Sequence, residues 1–289
     1  MLAVLLACTS AALFGAMAVA VRIGLRRNDD AVIGTLATAT VALAVTTVIG
    51  VSSAVDHGLD LSELWPFVVA GAVAPGLSQL LFTHAVRDAG AARTSVLMGT
   101  APLFAVAIAL AALHEPLRAP LLAGAALIVA GGVALAGERV RPEDFRRLGI
   151  LLAVAGTLMF AMRDNLLRWL SGNTETHALV TAPVTLLAGT TTIVLYLVAT
   201  RGRAWGRGYG RALRVFLPAG LLFGFSYASL FEAYYRGRVT VVAPLVATES
   251  LWGVVFSALL LRRSELVGRK LVLGALLIVA GGALIGSWR

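Results

Sequence analysis

The chain has 289 residues, of which 59% are hydrophobic and only 13% charged, and its mean hydropathy is +0.88. Soluble domains carry about a quarter charged residues, so a water-soluble enzyme and a disordered protein are both excluded. The net charge is +9, from 24 Lys and Arg against 15 Asp and Glu. These basic residues lie in short interruptions between apolar runs, which is typical of a membrane protein and not of a nucleic-acid-binding module.

Ten apolar runs are long enough to cross a bilayer, which takes about 20 residues. In chain order they are residues 2–21, 31–51, 65–86, 91–113, 119–137, 148–169, 177–199, 213–235, 239–261 and 268–287. No run alternates as a barrel strand would. We therefore predict an all-α polytopic membrane protein with ten transmembrane helices. The lone cysteine, Cys8, excludes an intrachain disulfide and a cysteine cluster, and we expect no metal or cofactor.

An internal repeat divides the chain into two halves. The nine residues 124–132 recur at 274–282 with eight identities, and each copy follows a glutamate at the same distance, Glu115 or Glu265. The halves are residues 1–137 and 148–289, with five predicted helices each. Because five is odd, the second half enters the membrane from the opposite side. Such an inverted repeat is characteristic of carriers that work by alternating access around a central cavity.

Glycines spaced seven apart recur in the repeat, at Gly124 and Gly131 and at Gly274 and Gly281. They place small residues on one helix face, where two backbones can approach closely. We expect the fifth helix to pack against the tenth through these glycines. Packing against a second copy of the protein is the alternative, so a monomer and a homodimer both stay open.

The basic residues predict the orientation. The odd-numbered connections and their flanks hold 18 Lys and Arg, whereas the even-numbered connections and the termini hold 5. Short basic loops face the cytoplasm, so both termini are predicted to be non-cytoplasmic. The expected location is the inner (plasma) membrane.

The repeat resembles the drug/metabolite transporter superfamily, and within it the EamA family of metabolite carriers. The resemblance depends on Phe14-Gly15 in the first helix, Pro102-Leu103-Phe104 in the fourth, a glutamate closing that helix and a glycine-rich fifth helix. It implies a basket of ten helices with a cavity lined by helices one, three, four, six, eight and nine. Members of this family place both termini in the cytoplasm, so this chain is predicted to be flipped relative to them.

Polar groups inside a span are costly and mark functional sites. The sixth span contains Arg163, Asp164 and Asn165. Arg163 could bind a substrate carboxylate or phosphate through its planar guanidinium while Asp164 takes a cation or a proton. A purely structural ion pair is the alternative.

Glu249 lies near the middle of the ninth span, and either carries a proton during transport or pairs with Arg163. Gln79, Tyr227 and Trp252 are further candidates for the substrate-binding site, while Glu232 near a helix end is more easily read as solvated. Glu249 and Asp164 are the candidates for proton coupling.

Prolines within spans remove a backbone hydrogen bond and favour a kink. Pro102 and Pro244 are the predicted gating positions, and Pro75 and Pro183 have the same local effect.

These features predict a secondary transporter for a small polar or amphipathic metabolite such as an amino acid. A scaffold or receptor component without transport is the alternative, and an intramembrane enzyme a weaker one. No phosphate-binding loop, metal-spaced histidines or serine-hydrolase motif is found in the sequence. We therefore predict no enzymatic activity, and the expected partners are a small molecule and the lipid bilayer, without nucleic acid.

Overall fold

The computed structural model describes residues 1–57, 63–101, 103–104, 119–136, 145–171, 176–202, 206, 208–237, 242, 245–261 and 268–286. Within these ranges the fold is all-helical. The ten helical segments are α1 (Leu2–Arg27), α2 (Ala31–His57), α3 (Trp65–Ala89), α4 (Ala91–Met98), α5 (Ala119–Ala136), α6 (Leu148–Ser171), α7 (Ala178–Arg201), α8 (Tyr209–Arg236), α9 (Glu249–Leu261) and α10 (Arg269–Gly286).

Six of these helices are long and apolar enough to cross a membrane: α1, α2, α3, α6, α7 and α8. Shorter apolar helices occur at Leu122–Leu135 and Glu249–Leu261. Large apolar side chains cover the outer surface, including Val133, Leu151 and Leu195 at 62–67% exposure. A water-soluble protein does not expose so much apolar surface, and the described helices therefore match the prediction of a polytopic membrane protein.

The helix α3 is bent at Pro75, as the sequence predicts. A π-helical turn, Ala72–Leu77, separates two α-helical parts, and Ala74 within it has extended backbone angles. Proline disfavours the helical conformation of the residue that precedes it. The helix α7 instead continues through Pro183. Since proline has no N–H, the Leu179 carbonyl loses its helical donor. Gly50 lies beside this carbonyl, since a Cβ on Gly50 would be 2.5 Å from its oxygen.

The most extensively packed helix pairs keep their pattern when the first five helices are exchanged for the last five. The pair α1–α8 corresponds to α3–α6, α2–α8 to α3–α7, and α1–α9 to α4–α6, while α2–α7, α4–α9 and α5–α10 each correspond to themselves. Contacts at the glycines, together with the Asp30–Arg201 ion pair for α2 and α7, give the directions of these helices. In each of the pairs α2–α7, α4–α9 and α5–α10, the two helices are antiparallel.

The helices α5 and α10 meet through glycine, which confirms this part of the sequence prediction. A Cβ on Gly131 would lie 2.7 Å from the Gly274 carbonyl oxygen, and one on Gly281 would lie 2.6 Å from that of Gly124. These distances leave no room for a side chain, so the two backbones are in direct contact.

One end of the bundle collects the described arginines of the odd-numbered connections. There α1 ends, α2 begins and α7 ends, and Arg201 forms a bidentate ion pair with Asp30. Asp30 also accepts a hydrogen bond from the Ile33 N–H and so caps α2. Partial burial acts to raise the pKa of Asp30, but the hydrogen bonds from Arg201 and Ile33 outweigh it and leave this pKa lowered.

The opposite end of the bundle contains the start of α7 and the end of α8. Glu232 there pairs with Arg236 and lies 3.8 Å from the Nδ1 atom of His177. Although Glu232 was read from sequence as solvated, its side chain is buried between the two helices. The glutamates predicted to close the fourth and ninth spans, Glu115 and Glu265, lie outside the described residues.

Candidate functional site

A small cavity lies between the two halves of the chain, near the middle of the long helices. Its volume is about 40 Å³, which is room for a few water molecules, since one needs about 10–15 Å³ on this measure. It is lined by Ser10 and Phe14 of α1, Met98 and Ala101 at the end of α4, Phe160, Arg163 and Asp164 of α6, Phe223, Ser226, Tyr227 and Leu230 of α8, and Val246 and Glu249 at the start of α9.

The cavity lies where two predicted spans are interrupted. A turn at Gly99–Thr100 follows the helix α4, and a turn at Ala247–Thr248 precedes α9. Spans four and nine were predicted to be continuous helices, and in the structure they are interrupted. In both turns the threonine hydroxyl donates to the carbonyl three residues earlier, at 2.6 Å for Thr100 and 2.5 Å for Thr248. Such side-chain bonds compete with helical backbone bonds. The two turns are equivalent in the repeat, and broken helices of this kind form substrate sites in transporters.

Arg163 and Asp164 form an ion pair on the cavity wall. The Nε and Nη2 atoms of Arg163 donate to the Asp164 Oδ1 atom at 3.0 and 2.7 Å. The guanidinium also lies 5.0 Å from the ring centre of Phe160 and 5.3 Å from that of Tyr227. Arg163 is only 5% exposed. Its partner and these aromatic contacts stabilise a charge that would otherwise be costly in a membrane.

Glu249 is the second carboxylate on the wall and is 8% exposed. No hydrogen bond or ion pair reaches this carboxylate from the residues that the structure describes. Arg163 and Asp164 both lie close enough to act on it electrostatically. It is therefore a buried acidic group that faces the cavity and has no direct partner in the part of the chain that the structure describes.

Hydroxyl groups complete the polar part of the wall. Ser10 and Ser226 each donate to the other's backbone carbonyl oxygen at 2.9 Å, which joins α1 to α8. The Tyr227 hydroxyl lies 3.0 Å from the Thr185 oxygen. Because the Thr185 proton goes to the Ala182 carbonyl, Tyr227 is the donor of that bond.

Four phenylalanine rings pack at one end of the cavity. The ring centre of Phe14 lies 5.3 Å from that of Phe82, 6.1 Å from that of Phe160 and 6.4 Å from that of Phe223. Phe14, Phe160 and Phe223 each lie about one helical turn from a polar wall residue, always toward the arginine-rich end. This phenylalanine cluster therefore separates the cavity from that end of the bundle.

Comparisons with known proteins agree with this architecture. The EamA-like transporter family matches residues 1–136 and 147–287. The chain belongs to this family. Membership makes it a multi-pass membrane protein of the drug/metabolite transporter type, and the family is one of transporters and not of enzymes.

Among solved structures, 27 chains match this EamA-like protein. One, described only as the crystal structure of a protein, aligns with a TM-score of 0.66 over 98% of this chain and 95% of its own, at 21% identity. At that identity the likeness shows the fold alone. No protein of curated function matches the sequence.

Three of the predicted site residues do not line the cavity of the EamA-like protein. The Asn165 amide donates to the Ala161 carbonyl of its own helix at 2.8 Å. Gln79 is fully buried, with its amide 4.0 Å from the sulfur of Met17. Trp252 is 39% exposed and stacks on Phe256. Of the predicted set, Arg163, Asp164, Tyr227 and Glu249 do meet at the cavity.

The predicted gating prolines, Pro102 and Pro244, lie outside the described residues. Helix three was also expected in the lining, but α3 instead contributes Phe82 to the phenylalanine cluster. Sequence reasoning missed Ser10 and Ser226 as wall residues. The sequence does contain one indication for Ser10. It lies four residues before Phe14, which places both side chains on one face of the helix.

Proposed function

We propose that the protein is a secondary transporter that moves a small polar or amphipathic metabolite across the inner (plasma) membrane by alternating access. The observation that carries this proposal is the cavity between the halves, with Arg163, Asp164 and Glu249 buried on its wall. Charges in a membrane interior are retained where they act on a substrate or ion. A scaffold would gain nothing from them.

The two halves, residues 1–137 and 148–289, are proposed to form an inverted repeat. The exchange symmetry of the helix pairs and the antiparallel packing of α2–α7, α4–α9 and α5–α10 support it. Two related halves can rock against each other around a fixed site. The arginine-rich end is proposed to face the cytoplasm, with both termini on the other side.

The size of the cavity bears on the mechanism. At about 40 Å³ it is far smaller than the few hundred Å³ of a typical ligand pocket. A metabolite can therefore enter only if the halves separate. On this view the phenylalanine cluster is the closed gate toward the arginine-rich end, and it must part when that side opens.

Of the two carboxylates considered for proton coupling, Asp164 already has Arg163 as its counter-charge. The proposal therefore assigns the transported proton to Glu249. It assigns Arg163 and Asp164 to shaping the wall, and Tyr227 to contact with the apolar part of the substrate.

The test is uptake of a mixed radiolabelled metabolite pool into proteoliposomes. The wild type is compared with Ser226→Leu, which fills the cavity, and with Phe225→Leu, a matched change at a neighbouring side chain that is half exposed on the outside of α8. We expect at least one compound to accumulate with the wild type and Phe225→Leu but not with Ser226→Leu. If the wild type accumulates nothing from a broad pool, the transporter proposal is wrong and the scaffold or receptor alternative replaces it.

A further inference from the structure

The charges on the cavity wall do not balance. Arg163 contributes one positive charge and Asp164 and Glu249 contribute two negative ones when both carboxylates are ionised. Arg163 is engaged by Asp164 through two hydrogen bonds to one oxygen. Glu249 is left without a direct counter-charge among the described residues. Because an unpaired carboxylate is costly inside a membrane, Glu249 must hold either a proton or a cationic ligand.

Arg163 is poorly placed to bind an anionic substrate. Two of its three nitrogens donate to Asp164, and the rings of Phe160 and Tyr227 lie against the guanidinium. A substrate carboxylate would be left with the remaining N–H groups of Nη1 and Nη2, beside an acid of its own charge. The wall therefore offers an anion little, contrary to the role expected for Arg163 from the sequence.

The hydroxyl groups of the wall already donate hydrogen bonds to other groups of the protein. Ser10 and Ser226 donate to each other's backbone carbonyls, and Tyr227 donates to Thr185. The lone pairs of these hydroxyl oxygens remain as hydrogen-bond acceptors. A ligand that bonds to these hydroxyls must therefore bring the donors.

The apolar part of the wall suits the same kind of ligand. The aromatic rings of Phe14 and Phe223 line the cavity beside the polar groups. Aromatic ring faces attract cations. Acceptor oxygens, aromatic rings and a carboxylate without a direct partner among the described residues together form a site for a positively charged group with N–H donors.

We propose that the cavity binds the ammonium group of a small amine at Glu249, and that the amine exchanges for the proton which Glu249 otherwise carries. This inference rests on the proposed transport function. As the cation arrives, the Glu249 carboxyl releases its proton to water, so one positive charge replaces another and the exchange is electroneutral. The groups that face Glu249 are Arg163 and Asp164 on α6 and Tyr227 and Tyr234 on α8. The wall residues contributed by α1 and α4 carry no charge.

The probe is radiolabelled ethanolammonium in proteoliposomes with an imposed pH gradient. We expect an acidic interior to drive its uptake above that of protein-free liposomes, while a potassium–valinomycin potential at constant pH has no effect. Ethylene glycol and glycolate, the neutral and anionic analogues, should not compete. Competition by glycolate, or uptake driven by the potential alone, would overturn the proposal.

Two variants test the assigned group. Glu249→Gln should reduce acid-driven uptake to the level of protein-free liposomes. Glu232→Gln is the matched control, because Glu232 is equally buried but lies outside the cavity, and it should transport as the wild type does. Size-exclusion chromatography checks that both variants fold. If Glu249→Gln folds and still takes up the probe, the site is wrongly assigned.

The outcome also separates this inference from the broader function. A wild type that accumulates a compound from the metabolite pool but ignores ethanolammonium contradicts the amine site and leaves the transporter proposal intact. A wild type that transports neither contradicts both.

Discussion

Replacing Gly131 by alanine should weaken the contact between α5 and α10. The new Cβ would lie 2.7 Å from both the Gly274 carbonyl oxygen and the Ile278 side chain, whereas ordinary contact begins at 3.4 Å. The two helices must therefore separate by roughly 0.7 Å, the difference between these distances. Overpacking of this kind costs about 1–3 kcal/mol.

The neighbouring Gly132 provides an internal control, because a Cβ there meets nothing within 4 Å. Both substitutions gain the same helical preference of alanine over glycine, so their difference isolates the contact. We expect Gly131→Ala to be less stable than Gly132→Ala by about 1–3 kcal/mol, or about 5- to 150-fold in the unfolding equilibrium. The assay is unfolding in detergent by increasing the mole fraction of dodecyl sulfate, followed by circular dichroism. Equal midpoints would refute direct backbone contact between the helices.

Two further predictions concern the ends of the cavity and of the bundle. Asp30→Ala should cost about 0.5–2 kcal/mol through the lost helix cap, whereas Asp30→Asn, which keeps a capping oxygen, should lose only the partly exposed ion pair with Arg201, about 0.2–1 kcal/mol. Because folding lowers the pKa of Asp30, the stability that its carboxylate contributes is present above the ordinary pKa of aspartate and is lost as the pH falls below about 4. Thermal unfolding across pH 3–6 measures this loss. An Asp30→Asn profile identical to that of the wild type would contradict it. With Cys8 replaced by alanine, Ser10→Cys should react only slowly with an impermeant thiol reagent added at the arginine-rich end, because Ser10 is 2% exposed and the phenylalanine cluster covers it on that side. Adding Phe14→Ala should speed this reaction, and an unchanged rate would mean that the phenylalanine cluster is not the barrier.

The class of the protein could be predicted from its sequence because hydropathy is a local property. A run of 20 apolar residues in a membrane must satisfy its backbone hydrogen bonds within its own helix, whatever its neighbours are. The packing of α5 on α10 was predictable for a related reason, since Gly131 and Gly274 are equivalent positions of a repeat and glycine permits a close approach without any knowledge of the rest of the fold.

The membership of the site depended on the tertiary structure. In helices that are apolar nearly all round, the sequence offers no polar face from which to tell the cavity side from the lipid side. Trp252 and Glu249 are three residues apart on α9, yet only Glu249 lines the cavity. The commitment of Arg163 to Asp164 required side-chain positions, because adjacent residues on a helix do not ordinarily face each other.

The sequence by itself therefore determined the membrane class, the ten helical segments and the repeat, and it put Arg163, Asp164, Tyr227 and Glu249 among seven candidates for the site. Only the tertiary structure decided that spans four and nine break at Thr100 and Thr248, and that Glu249 has no direct partner among the described residues. The threonine bonds and the Arg163–Asp164 pair are local arrangements that compete with others, and the packing of helices from both halves around the cavity selects among them.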